Sequence, residues 1–347
     1  MSQKPWRTLR LMVNGIGYKV QFNQDSIDYL FVPFLKKLSR LARQADRRIL
    51  VFLAAPPAVG KSTLALFLEK LADSHDDLLP VQSLGLDGFH YPNSYLVQHS
   101  VERDGEFIRL DKIKGAPETF DIEALTEKLE MIKVGNIRWP IYDRRIHDPV
   151  PDVLSVKKPI VLIEGNYLLL REPGWQELNA LADTTLFINA PEEYLMYRLI
   201  QRKIKGGLTE LAARNFYETS DRKNIERIMK NSWAADETWK MLEDGDYVRD
   251  NMAKKPVKRV NREALWKKTD VVEKDAVMEG LGVRFDTSKS QLSSPTLYEA
   301  GYTEGLSEAR NNILRRIVEQ GNMSRGDIER TFDVGSSELD NIMNLLK

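Results

Sequence analysis

Residues 49–63, ILVFLAAPPAVGKST, constrain this chain more than any other stretch. An apolar run of strand length (Ile49, Leu50, Val51, Phe52, Leu53) feeds a short turn with Pro56, Pro57 and Gly60. A helical pattern follows through Leu64, Leu66, Phe67 and Leu68. A strand–turn–helix carrying Gly60-Lys61-Ser62-Thr63 at the turn reads as a phosphate-binding loop, whereas the same string without those flanks would be incidental. Backbone N–H groups of the turn and of the helix N-terminus would face a polyphosphate. Lys61 would reach the β and γ phosphates of ATP, and the Ser62 hydroxyl would ligate Mg²⁺. The motif calls for Gly where this chain has Ala55, and Pro56 and Pro57 remove two N–H groups. The cradle is therefore expected from Ala58, Val59, Gly60, Lys61, Ser62 and Thr63.

The rest of the chain extends this opening into a fold class. From 49 to about 200, apolar runs (Ile49–Leu53, Val81–Leu86, Ile160–Ile163, Thr185–Ile188) alternate with helical patterns. That rhythm predicts an α/β fold, a parallel sheet covered by helices. Helices are expected near 62–74, 121–134, 174–182, 191–205, 208–218 and 221–243. Before the core, Leu9, Leu11 and Val13 alternate, Asn14-Gly15 turns, and Tyr18, Val20 and Phe22 alternate, which predicts a hairpin. Ile27, Leu30, Phe31, Phe34, Leu35, Leu38 and Leu41 then mark an amphipathic helix over 26–45.

Beyond about 250 the texture changes to a basic run (Lys254, Lys255, Lys258, Arg259, Arg262, Lys267, Lys268) and a polar linker at 286–296. Helical patterns resume from 297 to 346. The expected organisation is an N-terminal hairpin and helix (1–48) on an α/β core (49–250), then a basic segment and linker (251–296) and a small helical element (297–347).

Composition narrows the function classes. With 51 basic and 51 acidic residues, nothing global points to nucleic acid or a membrane. Without cysteine there is no disulfide and no thiolate chemistry, and His75, His90, His99 and His147 are too scattered for a zinc site. No apolar run approaches the roughly 18 residues needed to span a bilayer, and the N-terminus lacks the apolar core of a signal peptide. A cytoplasmic protein is the expectation.

Phosphoryl transfer needs a nucleotide cradle, a metal, a group that orients the acceptor hydroxyl, and cations over the migrating phosphate. The second apolar run ends in Gly85-Leu86-Asp87-Gly88-Phe89-His90, which places Asp87 in the crevice where parallel sheets bind ligands. There it could take the proton of an acceptor hydroxyl, or simply form an Asp-Gly turn. The third run ends in Glu164-Gly165-Asn166, a site for a metal-holding carboxylate or for a turn. Arg198, Arg202, Lys203 and Lys205 share one helix ending at Gly206-Gly207, either a basic lid or a solvated face. The stretches KGAPETFD (114–121) and WPIYDRRIHD (139–148) suit an acceptor pocket. Asp121 would hold a polyol there, Phe120 and Tyr142 would be walls, and His147 or Arg144 a further polar contact.

Six motifs, APPAVGKST, LDGFHYPNSYL, KGAPETFD, PIYDRRIHD, IVLIEGNYLLL and INAPEEYLMYRLIQRK, occur in the order seen in the uridine kinase, phosphoribulokinase and bacterial pantothenate kinase group. Over residues 8–248 the chain most resembles a bacterial subgroup labelled nucleoside/nucleotide kinase-like or fructose-transport kinase. The resemblance implies the three-layer P-loop NTPase fold with a five-stranded parallel sheet, and ATP with Mg²⁺ as cofactors. It implies Asp87 as base, Lys61 and Ser62 on phosphate and metal, Glu164 as the acidic residue after a core strand, and Arg202 as the lid arginine. Arg198 would lie over the nucleotide. Asp121, Tyr142 and His147 match positions lining the nucleoside pocket, and His90 neighbours them.

The expectation is an ATP-dependent kinase acting on a hydroxyl of a small polyhydroxylated metabolite, nucleoside or sugar-like rather than pantothenate. The alternative is a nucleotide-binding regulatory module with little turnover, acting through the C-terminal extension. A nucleic-acid partner finds little support, because the terminal helices carry no recognition helix rich in Arg, Asn or Gln. A docking or homo-oligomerisation element suits them better.

Overall fold

The computed structural model describes residues 5–13, 16–103 and 105–251. All but residues 152–154 of these belong to the first of two compact units, Met1–Pro151 with Ser155–Asp286. The basic run at 254–268, the linker and the terminal helices expected at 297–346 lie outside the described residues.

Strands β1 (Trp6–Val13) and β2 (Ile16–Asn23) form the expected hairpin, paired antiparallel from Trp6↔Asn23 to Val13↔Ile16. Asn23 caps a short turn of helix, α1 (Gln24–Ser26), by accepting from Asp25 N. One π turn, Ile27–Phe31, leads into α2 (Val32–Ala45), so the predicted helix runs through with a single widened turn. This N-terminal element packs by aromatics. Phe22 stacks on Phe67 at 3.9 Å, and Phe31 and Phe34 meet Trp239 at 5.4 and 5.2 Å. Each such buried ring contributes about 2–3 kcal/mol.

The core follows: β3 (Ile49–Ala54), α3 (Lys61–Asp73), β4 (Val81–Gly85), α4 (Asn93–Leu96), β5 (Ser100–Arg103), β6 (Glu106–Arg109) and α5 (Ile122–Val134). Next come β7 (Ile137–Asp143), β8 (Asp148–Val156), β9 (Ile160–Gly165), β10 (Thr184–Asn189), α6 (Glu192–Lys205), α7 (Glu210–Phe216), α8 (Arg222–Asn231), β11 (Glu237–Met241) and β12 (Tyr247–Arg249). The central sheet has the order β12-β11-β10-β3-β9-β4. Five strands run parallel, as expected, and β12 returns antiparallel at the edge. Strand β3 is buried at every position, which its unbroken apolar run requires between two helical layers.

Three expectations are corrected. The helix predicted over 221–243 stops at Asn231, and Glu237–Met241 is instead the fifth parallel strand, with Trp239 and Met241 inward. The loop read at 139–148 is largely strand, because β7 carries Trp139 and Pro140 in a two-stranded ribbon with β8. The helix expected at 174–182 is a short 3₁₀ segment, Gln176–Ala180.

Candidate active site

The parallel strands end at one edge, and the candidate groups collect there. Register pairs Leu53 with Glu164 across β3–β9 and Gly85 with Glu164 across β4–β9. The phosphate loop, the Glu164 carboxylate and the Asp87 turn therefore issue from three neighbouring strand ends, the position where open α/β sheets hold ligands.

Within the loop, Gly60 takes φ +93° and begins α3 without a side-chain cap. The first-turn amides of a helix have no intrahelical acceptor, so an uncapped start in this position suits an anion. Ala58 also takes a left-handed φ, +66°. Ala55 does not, so the position where the motif calls for glycine makes no such demand on the backbone here. Lys61 is buried; its ammonium donates to Asn166 Oδ1 at 2.5 Å and to Pro56 O at 3.3 Å. Ser62 Oγ donates to Glu164 Oε1 at 2.6 Å.

Burial lowers the Lys61 pKa against the attraction of Glu164 and Asp87. Burial raises that of Glu164, opposed by Lys61 and reinforced by Asp87. These shifts mark charged groups packed close together and desolvated.

The residues fit the groups the loop implies. A hydroxyl and a carboxylate side by side are hard oxygen donors of the kind Mg²⁺ takes together with substrate phosphates and water. Among the described residues no cluster of three or more His, Asp or Glu could hold a metal ion.

Asp87 sits in a single 3₁₀ turn, Leu86–Phe89, directly after β4. Gly88 is required here, since a Cβ would overlap the Pro140 carbonyl of β7. Trp139 Nε1 donates to Gly85 O at 2.9 Å, locking the same turn from the other side. The Asp87 carboxylate is 43% exposed, and Arg144 Nη2 lies 3.7 Å from its Oδ2. It faces the site and belongs to the same electrostatic cluster as Lys61, Glu164 and Arg202.

Helix α6 brings Arg198 to the loop and Arg202 into the electrostatic reach of Lys61. Arg198 Nη2 would stand 3.9 Å from a Cβ on Gly60, and its guanidinium lies over the Tyr194 ring at 5.4 Å. Arg202 is an exposed residue whose guanidinium makes no hydrogen bond or ion pair among the described residues; the protein crowded around that group and then Arg144 lower its pKa, while Asp221 and Asp87 oppose them. Lys203 on the same helix is committed elsewhere, 3.3 Å from Asp221 and 3.6 Å from the Phe216 ring centre.

Beside the Asp87 turn, His90 lies 3.9 Å from the Phe120 ring and 5.3 Å from that of Tyr142. Its Nδ1 donates to the Asp87 carbonyl at 2.9 Å. Burial lowers the His90 pKa, against the attraction of Asp87. Tyr142 is pushed up to about 12, first by burial and then by Asp148 and Asp87. Phe120 is buried against Tyr167 and Trp175 and backs the wall rather than forming its surface. Asp121 Oδ1 accepts from Ala124 N at 2.9 Å and so caps α5. His147 is exposed with a left-handed φ of 54°; its carbonyl accepts from Lys114 and Asn93, and its ring makes no hydrogen bond among the described residues.

Sequence reading missed three contributors. Lys114 lies 5.1 Å over the Tyr142 ring, Asn166 receives the Lys61 ammonium, and Tyr247 places its hydroxyl 3.7 Å from the Cβ position of Gly60.

No family model matches the chain. The chain is 44% identical over 240 residues to the uncharacterised protein YggC of Escherichia coli K12, spanning 69% of this chain and 98% of that one. To a putative uridine kinase of Schizosaccharomyces pombe it is 31% identical over 196 residues, 54% of this chain and 80% of the other. A solved structure of a putative fructose transport system kinase from Silicibacter sp. TM1040 superposes with a TM-score of 0.50 at 31% identity. That match covers 58% of this chain and 98% of the other. Among the described residues no helix is long and apolar enough to cross a membrane.

Proposed function

We propose, from the premise that this chain belongs to the P-loop kinases of the uridine kinase and bacterial pantothenate kinase family, that it phosphorylates a hydroxyl of a small polyhydroxylated metabolite. The observation that carries this reading is the half-exposed Asp87 carboxylate, held on a locked turn beside Glu164 and in the field of Lys61.

ATP would lie on residues 58–63, with loop amides and Lys61 on its phosphates and Arg198 above Gly60. Mg²⁺, held by Ser62 and Glu164, would supply charge neutralisation of the phosphate oxygens. Asp87 takes the proton of the acceptor hydroxyl as its oxygen attacks the terminal phosphorus; the bond to the bridging oxygen breaks, and ADP departs. Lys61 and Arg202 bear the charge that develops on the transferred group. Arg202 suits this because no carboxylate among the described residues neutralises it by direct contact. The Arg144–Asp87 contact, between half-exposed side chains, is weak enough to yield to an incoming hydroxyl.

His90, Tyr142, Arg144 and Asp121, backed by Phe120, are the polar and aromatic surroundings of that hydroxyl, and they favour a nucleoside or sugar-like acceptor. His147 would join them through a change of its side-chain position.

The alternative, a regulatory module without turnover, drew on Ala55, the two prolines and the C-terminal extension. The ordinary backbone at Ala55 removes the first of those grounds. ATP consumption across a panel of nucleosides, sugars, sugar acids and pantothenate tests the proposal. Loss of ATP that depends on one acceptor supports a kinase, while tight ATP binding with no acceptor-dependent loss overturns it.

A further inference from the structure

Tyr247 opens the edge strand β12, far along the chain from the phosphate loop, yet its hydroxyl ends there. A Cβ built on Gly60 would stand 3.7 Å from the Tyr247 hydroxyl and 3.9 Å from Arg198 Nη2. The phenol and the guanidinium thus both lie close to the N-cap residue of α3. Tyr247 is only 7% exposed, and among the described residues its hydroxyl makes no hydrogen bond. An unpaired hydroxyl beside a phosphate loop is free to donate to a ligand there. Burial, opposed by Arg198, pushes its pKa well above the usual phenol range, so the hydroxyl is a donor throughout the physiological range.

The position of that ring is set from the N-terminal element. Ser26 Oγ donates to Asp246 Oδ1 at 2.5 Å and lies 3.0 Å from Tyr247 O. Asn23 Nδ2 donates to Asp246 Oδ2 at 3.0 Å, and Tyr247 N donates to Asp246 Oδ1 at 2.8 Å. Asp246 is buried, and its carboxylate ties the end of β2 and α1 to the first residue of β12. The ring itself packs against Phe31 at 5.7 Å and Phe22 at 6.5 Å, both from the N-terminal element. Residues before the phosphate loop therefore fix a donor above it.

We propose that Tyr247 binds the nucleotide, its hydroxyl donating to the phosphate chain beside Arg198. Asn23, Ser26 and Asp246 are positioning residues that hold it there. The inference rests on the reading of the loop as a nucleotide site and adds a contact, and a purpose for the N-terminal element, that the loop motif does not contain.

The test measures dissociation constants for ATP and ADP with Mg²⁺ and no acceptor, on the full chain, with a thermal melt of each variant. Lys61→Ala is the control for the loop. Tyr247→Phe keeps the ring contacts and removes only the hydroxyl, so it should melt no lower than the parent and bind ATP about tenfold more weakly, the scale of a donor lost to a charged acceptor. Ser26→Ala should melt lower and weaken ATP severalfold without touching it. A parent that binds no ATP overturns the nucleotide reading and this inference together. Binding abolished by Lys61→Ala and unchanged by Tyr247→Phe overturns the inference alone. Weakening by Tyr247→Phe with none from Ser26→Ala removes the positioning role and leaves the contact.

Discussion

The two halves of the site are built on different principles. The nucleotide half is built around one short stretch, residues 55–63, set between a fully buried strand and an uncapped helix, with Asn166, Glu164, Arg198 and Tyr247 added from elsewhere. The groups of the loop itself are buried or half-buried and hydrogen-bonded, as with Lys61 on Asn166 and Ser62 on Glu164. The proposed acceptor half is gathered from the Asp87 turn, the 114–121 loop and β7, and its polar groups are half-exposed or engaged in holding loops together. A site that must grip one invariant polyphosphate can be rigid and local. A site that must select one small molecule is assembled from surface segments able to vary without disturbing the sheet.

The largest effect should come from breaking the link between the halves. Asp87→Asn keeps the size and the turn but cannot accept a proton, so turnover should fall by about 10²-fold or more with ATP affinity nearly kept. Steady-state kinetics with the acceptor found in the panel, beside calorimetric ATP binding, reads both quantities. Normal turnover would remove Asp87 from the chemistry and leave the halves unconnected.

Next in size is a separation of two roles at Asp121. As helix cap, the residue can be replaced by Asn with little loss, whereas Ala should cost about 1 kcal/mol. As acceptor ligand it cannot, because an amide does not hold a sugar hydroxyl as a carboxylate does. Both variants should raise the acceptor KM by about tenfold, the cost of one charge-assisted hydrogen bond, while only Asp121→Ala loses stability. An acceptor KM unchanged in Asp121→Asn would assign this residue to the helix alone.

Legibility followed the same division. Ile49–Leu53 and Gly60-Lys61-Ser62-Thr63 announce strand, loop and helix because every local signal agrees. Asp87 and Glu164 were readable as carboxylates ending apolar runs. Strand β7 was not, because Pro140 argues against a strand, and the segment tolerates it in a two-stranded ribbon outside the main sheet. Strand β11 was lost by carrying a helical pattern through Ser232 to 243; the alternation of Trp239 with Met241 and the Asp244-Gly245 turn were the signals overlooked. With β11 and its turn went Tyr247. Capping by Asp121 and the carbonyl contacts at His147 depend on where loops settle, and spacing carries no information about that.

A smaller effect tests whether the nucleotide half stores strain. Ala58 holds φ +66°, where an L-residue costs roughly 1 kcal/mol or more and glycine almost nothing. Glycine also loosens the unfolded chain, which offsets part of the gain. Ala58→Gly should therefore raise stability by about 0.5 kcal/mol, read from urea midpoints, with ATP affinity unaltered. A drop in stability would mean that the Cβ of Ala58 packs usefully and that the loop is relaxed as it stands.

The smallest effect lies on the acceptor side and depends on pH. Burial lowers the His90 pKa below its ordinary 6.5, so the unfolded chain binds this proton more readily than the folded one. Between the two values the unfolded state carries more protons, and stability must rise with pH there and fall as the solution is acidified below about 6.5. Asp87, Lys114 and Arg144 face the same ring; the first favours the charged form and the other two oppose it. His90→Gln, which keeps a polar group near the Asp87 carbonyl and does not titrate, should flatten the stability profile between pH 5 and 7 relative to the parent. Parallel profiles in urea titrations at pH 5, 6 and 7 would show that the ring opens to water readily, and that the acceptor wall is looser than the packing of His90 on Phe120 implies.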